Sequence, residues 1–329
     1  MKLGKISIAM ATYNGSRFIS QQLESIAKQT ILPDEIIICD DLSTDLTCEI
    51  VRNFTENSSI NVKILVNSSR VGVISNFERA ISLCGGDYIF LCDQDDVWLP
   101  EKVSTVMDTF SKNPQCLVVI HDCISTDRDL APQNSSVMRS TQVLFGRNDE
   151  FILGCCTAIR RTVFPLLFPF PEFVNQLQSH DGWIHFVGSQ TNTRIVIESR
   201  LMLYRRHGRN TSGSFASTRE MMLFDRLRNY LSIFRRKAGP LLLDLQLEAR
   251  GAGIDLIRER LQHRGKFLKG MLGDDQDDSM QIRSCFIAKR LAIRRQGRAK
   301  KFMLAISFYF TGGYCHFSGL KSLLLDLLS

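Results

Sequence analysis

The stretch Tyr88-Ile-Phe-Leu-Cys-Asp-Gln-Asp-Asp96 constrains the fold of this chain more than any other. An apolar run over residues 88–92 ends abruptly in three carboxylates, Asp93, Asp95 and Asp96, and Trp98 and Pro100 follow at once. A short, unbroken apolar run reads as a strand buried on both faces, the habit of strands in parallel α/β sheets. The acids then fall just past the strand's carboxyl end, the edge at which open α/β sheets bind ligands. Carboxylates crowded in this way repel one another unless a cation sits among them. Mg²⁺ or Mn²⁺ suits such oxygen ligands, often together with a substrate's phosphates. For a bare D-x-D a solvated acidic turn would be the better explanation, so the rest of the chain has to decide.

The segments before it repeat the pattern. Residues 6–11 form an apolar run broken by Thr12-Tyr-Asn-Gly15, and Phe18, Leu23, Ile26 and Ala27 then recur at helical spacing. Residues 35–39 read as a second strand ending in Asp40-Asp41, and Ser43-Thr-Asp45 as a turn and N-cap for a helix through Ile50 and Phe54. Residues 62–66 give a third strand, 76–83 a short helix, and Gly85-Gly86 turns the chain into the acid-tipped strand. Strands alternating with helices predict right-handed βαβ units in a mainly parallel sheet. Neither G-x-G-x-x-G nor G-x-x-x-x-G-K-[ST] follows the first strand, so dinucleotide and P-loop readings lack their fingerprints.

Farther on, residues 117–120 predict a strand ending at His121-Asp122, and residues 125–150 a polar loop. Pro165, Pro169 and Pro171 mark an irregular stretch, and His180-Asp-Gly-Trp183 opens a short helix. Two last strands are expected over 194–197 and 201–204, followed by a basic, glycine-containing loop to Gly213. The predicted boundary lies near Phe215, dividing a domain over 1–215 from a basic helical region over 216–329 with helices at 221–234, 241–261 and 282–295. With 329 residues, 44% of them hydrophobic, the chain can build one large or two modest cores. Its ten cysteines lie mostly in apolar runs and include no C-x-x-C pair, which argues for reduced, buried thiols in a cytosolic protein. The first residues lack a signal peptide's apolar core and cleavage site. No run reaches the roughly 18–20 apolar residues that span a bilayer.

Four segments, Ile8-Ala-Met-Ala-Thr-Tyr-Asn14, Ile36-Ile-Ile-Cys-Asp-Asp-Leu-Ser-Thr-Asp45, Asp93-Gln-Asp-Asp96 and His180-Asp-Gly-Trp183, together resemble family 2 glycosyltransferases in order and spacing, over about residues 5–213. Asp93-Gln-Asp-Asp-Val-Trp98, His180-Asp-Gly-Trp183 and the loop over 204–213 further resemble the rhamnosyltransferase-like branch of bacterial surface-polysaccharide enzymes. The resemblance implies a GT-A (Rossmann-like) α/β fold, a mainly parallel sheet flanked by helices, with the basic helical region as a C-terminal extension. It implies an inverting, metal-dependent transfer of a sugar, rhamnose favoured, from a nucleoside-diphosphate donor (dTDP-rhamnose or a UDP-sugar). The acceptor would be a hydroxyl of a lipid-linked glycan, in O-antigen, capsule or exopolysaccharide synthesis.

The same resemblance carries roles onto residues. Thr12, Tyr13, Asp41, Arg70, Asn76 and Asp93 would bind the donor, Tyr13 by stacking on a pyrimidine and Asp41 by accepting a hydrogen bond from its imide N–H. Asp95, the last acid of D-x-D, would touch Mn²⁺ or Mg²⁺, with His207 as a further ligand and Arg205, Arg206 and Arg209 adding positive charge. Asp181 would be the general base, and His180 and Trp183 would contact acceptor or sugar. Each has a plainer alternative: Tyr13 and Trp183 as packing aromatics, Arg70 as a solvated loop cation, Asp181 as a helix cap and Asp96 as a turn cap. The chain departs from the family at Leu42, usually glycine, and at His180, often glutamate. A nucleotidyltransferase or a sugar-binding protein without catalysis remain the competing classes. The first would need a Gly-rich, basic loop where Thr12-Tyr-Asn-Gly15 stands.

The net charge of +7 gathers in the C-terminal half. Arg283, Lys289, Arg290, Arg294, Arg295, Arg298, Lys300 and Lys301 precede the apolar residues 302–310. A basic segment beside a short apolar one suits an anionic membrane surface, here the inner face of the cytoplasmic membrane. Helices packed on the catalytic domain with a solvated charged face are the alternative. No helix-turn-helix, zinc-finger or RNP pattern supports nucleic-acid binding.

Overall fold

A computed structural model describes residues 4–134, 136–138, 153–177, 180–208, 210, 239–263, 268, 270, 272, 275–317 and 319–328. The predicted boundary near Phe215, the predicted helix over 221–234 and Arg209 lie outside the described residues. The chain divides into two compact units, Met1–Phe170 with Ser179–Met221, and Pro171–Gln178 with Met222–Ser329.

The first unit is built on β1 (Ile6–Thr12), β2 (Glu35–Asp40), β3 (Asn61–Val66) and β4 (Tyr88–Asp93), parallel in the order β3-β2-β1-β4. Helices α1 (Ile19–Ala27), α2 (Thr47–Asn57) and α3 (Gly72–Leu83) connect them in turn. In β1, Ile6, Ile8, Ala9 and Met10 are buried, and α1 lays Ile19, Leu23 and Ile26 inward at helical spacing. Beyond β4 the sheet is mixed. It runs through β8 (Thr157–Arg160), β6 (Val118–Thr126) and β9 (Arg194–Arg205) to β5 (Val97–Trp98), with β7 (Pro132–Asn134) beside β6. Helix α4 (Lys102–Lys112) follows β5, and α5 (His180–Gln190) precedes β9. The parallel register aligns the strand ends that matter: Thr12 lies opposite Asp40, and Ala11 opposite Asp93.

Three elements differ from the sequence expectation. Helix α3 starts at Gly72, four residues before Asn76, because Gly72 takes φ +81 and its N–H donates to Asp41. Strand β6 runs past His121-Asp122 to Thr126. Its polar residues His121, Asp122, Ser125 and Thr126 are buried, the Asp122 carboxylate accepting from the N–H groups of Cys123 and Met138 and from the Ser136 hydroxyl, so the apolar pattern that marks a buried strand is missing. The two expected last strands are one, β9, which stays paired with β6 through irregularities in register around Asp122. Asp45 caps α2 as expected of its turn, but from just outside the helix, accepting the Thr47 N–H at 3.0 Å and the Ser16 N–H at 3.0 Å.

The second unit comprises α6 (Gly239–His263), α7 (Asp275–Arg294), α8 (Arg298–Phe310) and α9 (Leu320–Leu328). Ile293, Ala305, Phe308, Tyr314 and Leu323 form its apolar centre. Beside it Asp326, fully buried, accepts hydrogen bonds from Arg290 (2.8 and 3.0 Å), Arg294 (2.9 Å) and the Tyr314 hydroxyl (2.7 Å). Part of the basic run is therefore interior, and breaking such a buried pair from one side is strongly destabilising. No described helix is long and apolar enough to cross a membrane.

Two expectations follow for the first unit. His185 is buried against the Thr157 hydroxyl (2.7 Å), and burial pushes its pKa down to about 4. His121 and His180 are pushed down by burial too. The unfolded chain, with histidines near 6.5, takes up protons first. Stability is therefore full above about pH 6.5 and falls toward pH 4, by on the order of 2–3 kcal/mol for His185 alone. Denaturant unfolding from pH 7 to pH 4.5 should show that slope, and His185→Gln should flatten it; an unchanged slope would contradict the assignment. At the turn after β2, Leu42 sits at φ +61, a left-handed conformation unfavourable for a branched side chain, and its side chain is exposed. Leu42→Gly should stabilise the fold by about 1 kcal/mol, whereas a loss of stability would show that the Leu42 side chain holds the turn by contacts.

Candidate active site at the strand ends

The carboxyl ends of β1, β2 and β3 enclose Asp41, which is 3% exposed. Its Oδ1 accepts from Asn67 Nδ2 (3.0 Å) and the Val71 N–H (2.8 Å), and its Oδ2 from the Gly72 N–H (3.0 Å). Burial pushes its pKa up, but those donors and the nearby Arg70 charge outweigh it, so the carboxyl ionises below its ordinary range. A carboxylate offers about four lone-pair directions, which leaves one on Oδ2 for an incoming N–H donor. Arg70 lies 3.8 Å from that oxygen, and its guanidinium stacks 3.7 Å from the centre of the Tyr13 ring. Asn76, buried, donates to the Cys39 carbonyl (2.7 Å) and accepts from Asn67 (2.9 Å), so it orients Asp41 through Asn67. Gln94 clamps the Tyr13 main chain at both ends, accepting its N–H at 2.9 Å and donating to its carbonyl at 3.0 Å. A side chain at Gly15 would come within 2.2 Å of Gln94, so that clamp requires glycine there.

Tyr13, Asp41, Arg70 and Asn76 thus form one cluster. Thr12 is turned inward instead. It is buried with its hydroxyl donated to Asp40 (2.7 Å), and Asp40 in turn accepts the Ser43 N–H (2.8 Å). Thr12 and Asp40 therefore hold the Leu42 turn on which Asp41 sits. Asn67 and Gln94 had no signal in the sequence, because both act through contacts remote along the chain.

The acid motif spreads its three carboxylates over different partners. Asp95 Oδ2 lies 2.7 Å from His207 Nε2. The His207 ring stacks on Phe18, centroids 4.9 Å apart, and the His207 main-chain N–H donates to Asn210 Oδ1 (2.6 Å). Asp96 is fully buried; Oδ1 accepts the Arg205 N–H (3.0 Å), and Oδ2 has no hydrogen-bond partner. Ligand atoms of Asp93, Asp96 and Cys155 all lie within 4.8 Å of one another. Burial first, and then the charges of Asp95 and Asp181, push the Asp93 carboxyl up to about 7. Burial and the charges of Asp95 and Asp93 push Asp96 well above the carboxylate range. Two carboxylates, one of them with an orphaned buried oxygen, and a thiol, next to a carboxylate–imidazole pair, form a donor set that fits a divalent cation.

The basic loop divides its cations. Arg205 donates to the Asp95 carbonyl (2.8 Å) and the Arg128 carbonyl (2.6 Å) and lies over Phe18, so it pins the acidic turn. Arg206 keeps a buried Nη1 without a hydrogen-bond partner. Lys102, fully buried, donates to the Cys155 carbonyl (2.7 Å) and sits 3.8 Å from the centre of the Trp98 ring. The ordinary pair Glu101-Lys102 gave no sign of this in the sequence.

Asp181 stands in the first turn of α5, its Oδ1 accepting the Gly182 N–H at 2.9 Å. Its charge acts on Asp93, which ties it to the acid motif. A Cβ at Gly154 would fall 2.8 Å from His180 Nε2 and 3.1 Å from Asp181 Cβ, so glycine is what lets α5 begin against this turn. His180 is buried, stacked on Phe77 at 4.0 Å between centroids, with no hydrogen-bond partner at either ring nitrogen. Trp183 does not offer a face to a sugar: it is fully buried and its indole N–H donates to the Leu167 carbonyl (3.1 Å). Two residues along a helix is about 200° of rotation, so with Asp181 toward the acid motif Trp183 must point into the core.

The family model described as Glycosyl transferase family 2 matches residues 7–168, which contain the Asp41 cluster and the acid motif. The dTDP-rhamnosyl transferase RfbG of Shigella flexneri is 31% identical over 226 residues, 62% of this chain and 74% of that protein. WfgD of Escherichia coli, a UDP-Glc:alpha-D-GlcNAc-diphosphoundecaprenol beta-1,3-glucosyltransferase, is 27% identical over 172 residues, 50% of this chain and 64% of that protein. Against uncharacterized mycobacterial relatives the match spans 59% of their length. Among solved structures, S. aureus TarS 1-349 in complex with UDP-GlcNAc superposes with TM-score 0.53 at 16% identity, over 98% of this chain and 90% of that one. That likeness gives the fold, the α/β sheet of GT-A enzymes. With RfbG similar over three quarters of its length, the chain belongs to glycosyl transferase family 2.

Proposed function

We propose that this protein is an inverting glycosyltransferase that moves a sugar from a nucleoside-diphosphate donor to a glycan hydroxyl in surface-polysaccharide synthesis. The observation that carries the reading is the packing of the Asp181 turn against Gly154, next to Cys155, whose thiol lies within 4.8 Å of the Asp93 and Asp96 carboxylates. Asp41 has a lone pair left for the imide N–H of a pyrimidine, and Tyr13 with Arg70 supplies a flat cationic surface for the base. Asp93 would lie at the ribose. Asp95 and His207 would hold Mn²⁺ or Mg²⁺, with Asp96 and Cys155 close by. When bound, such an ion offsets the negative charge that develops on the leaving diphosphate. Arg206, with an unpartnered Nη1, adds a cation on the same loop.

Asp181 then takes the proton of the acceptor hydroxyl as its oxygen attacks the anomeric carbon. The bond from that carbon to the diphosphate oxygen breaks on the opposite face, which inverts the configuration. His180 is held uncharged by its apolar setting, so it places no positive charge beside Asp181. Rhamnose from dTDP-rhamnose is the favoured sugar, supported by the likeness to RfbG, and a hexose from a UDP-sugar is the second reading, supported by WfgD. The name of WfgD, which includes diphosphoundecaprenol, also supports a lipid-linked acceptor, and our reading puts the transfer at the inner face of the cytoplasmic membrane.

Asp181→Asn keeps the shape of the site and can still accept the Gly182 N–H, but it cannot take the proton. Single-turnover transfer, with dTDP-rhamnose and UDP-sugars each tried with Mn²⁺ and Mg²⁺, should fall by roughly two to four orders of magnitude while donor binding and thermal melting stay near wild type. A transfer rate within a few-fold of wild type would remove the base assignment. Wild-type protein that releases nucleoside diphosphate from no donor would remove the enzyme reading.

A further inference from the structure

Helix α8 presents two features that packing among the described residues does not use. Its inner face buries Ala305 and Phe308 in the apolar centre of the second unit. Its outer face carries Phe302, Met303 and Phe310, which are 56%, 66% and 81% exposed, with Tyr309 at the edge. Positions 302, 303, 309 and 310 fall within about a third of the helix circumference, so these side chains make one apolar stripe. Isolated exposed hydrophobics are ordinary, but two phenylalanines and a methionine on one face mark a contact surface.

The second feature is electrostatic. Arg298, Lys300 and Lys301 occupy the first turn of α8, and that turn holds no acid. The amino end of a helix carries partial positive charge and disfavours cations. Among the described residues no carboxylate pairs with any of the three, whereas Arg290 and Arg294 on α7 are buried against Asp326. The arrangement weakens the isolated helix, and an external anion would reverse that.

We propose that the outer face of α8 docks on an anionic lipid bilayer, with Phe302, Met303 and Phe310 among the acyl chains and Arg298, Lys300 and Lys301 on acidic headgroups. The helix lies in the interface, since no described helix can cross a membrane. A second copy of this chain would supply the apolar contact but would bring the same cations, so charge complementarity favours the bilayer. The proposal deepens the lipid-linked acceptor reading by naming the surface that keeps the enzyme beside such an acceptor. Its test uses neither donor nor acceptor, so each reading can fail alone.

The test is flotation of the full chain with phosphatidylcholine vesicles, with and without phosphatidylglycerol. The chain should float with phosphatidylglycerol vesicles at low salt, weakly at high salt, and weakly with phosphatidylcholine alone. Replacing the three cations by Gln should lower partitioning about a hundredfold, roughly fivefold for each. Phe302→Ser with Phe310→Ser should lower it at least about tenfold. Both variants alter exposed or half-exposed positions and should melt like wild type. Failure of the wild-type chain to float with phosphatidylglycerol vesicles overturns the proposal, as does unchanged flotation of both variants. A dimer that the aromatic variant dissociates, with flotation unchanged, would assign the face to self-association instead.

Discussion

The mutual repulsion of Asp93, Asp95 and Asp96 is the constraint around which the first unit is arranged. Two unit charges 4.8 Å apart, the span of the Asp93–Asp96–Cys155 group, repel by on the order of 3 kcal/mol at the effective dielectric of a protein surface. The fold distributes the acids instead of spreading them apart. Asp95 meets His207, Asp96 meets the Arg205 main chain, and Asp93 keeps its charge only above about pH 7. Arg205 and Lys102 hold the acidic turn and the Cys155 turn in place through carbonyl contacts. The cluster survives because a surrounding shell of hydrogen bonds fixes it, which is also what a site that must bind the same ion in each catalytic cycle requires.

The parallel register extends that arrangement to the donor side. With Thr12 opposite Asp40 and Ala11 opposite Asp93, a nucleotide lying across the strand ends would meet Asp41 at one end and the acid motif at the other. The linking contacts are long in sequence and short in space. Gln94, from the acid motif, holds the Tyr13 backbone, so the base cluster and the metal-capable cluster share one rigid connection.

Much of this was legible in the sequence because apolar runs and turn residues mark parallel strands directly. The four strands β1 to β4 were read from their apolar runs and flanking turn residues, whereas the roles given to Asp41, Tyr13 and Arg70 rest on the resemblance to family 2 glycosyltransferases. What escaped was held by tertiary contact. Strand β6 hides behind polar residues that are buried, and Asn67, Gln94, Cys155 and Lys102 act through contacts distant along the chain. Trp183 was misread because a motif gives neighbours in sequence, whereas the helix sends Asp181 and Trp183 to opposite sides. The basic tail looked uniform, yet Arg290 and Arg294 are interior partners of Asp326, whereas Lys289, Arg298 and Lys300 are exposed.

The central claim is that the tip of β4 holds a divalent ion together with a nucleoside diphosphate. Calorimetric titration of dTDP and UDP, with and without Mn²⁺, into wild type and Asp95→Ala tests it most directly. The account expects Mn²⁺ to strengthen diphosphate binding to the wild type, and Asp95→Ala to lose at least about tenfold of that metal-dependent affinity with an unchanged melting transition. Wild-type, Mn²⁺-dependent affinity in Asp95→Ala would contradict it.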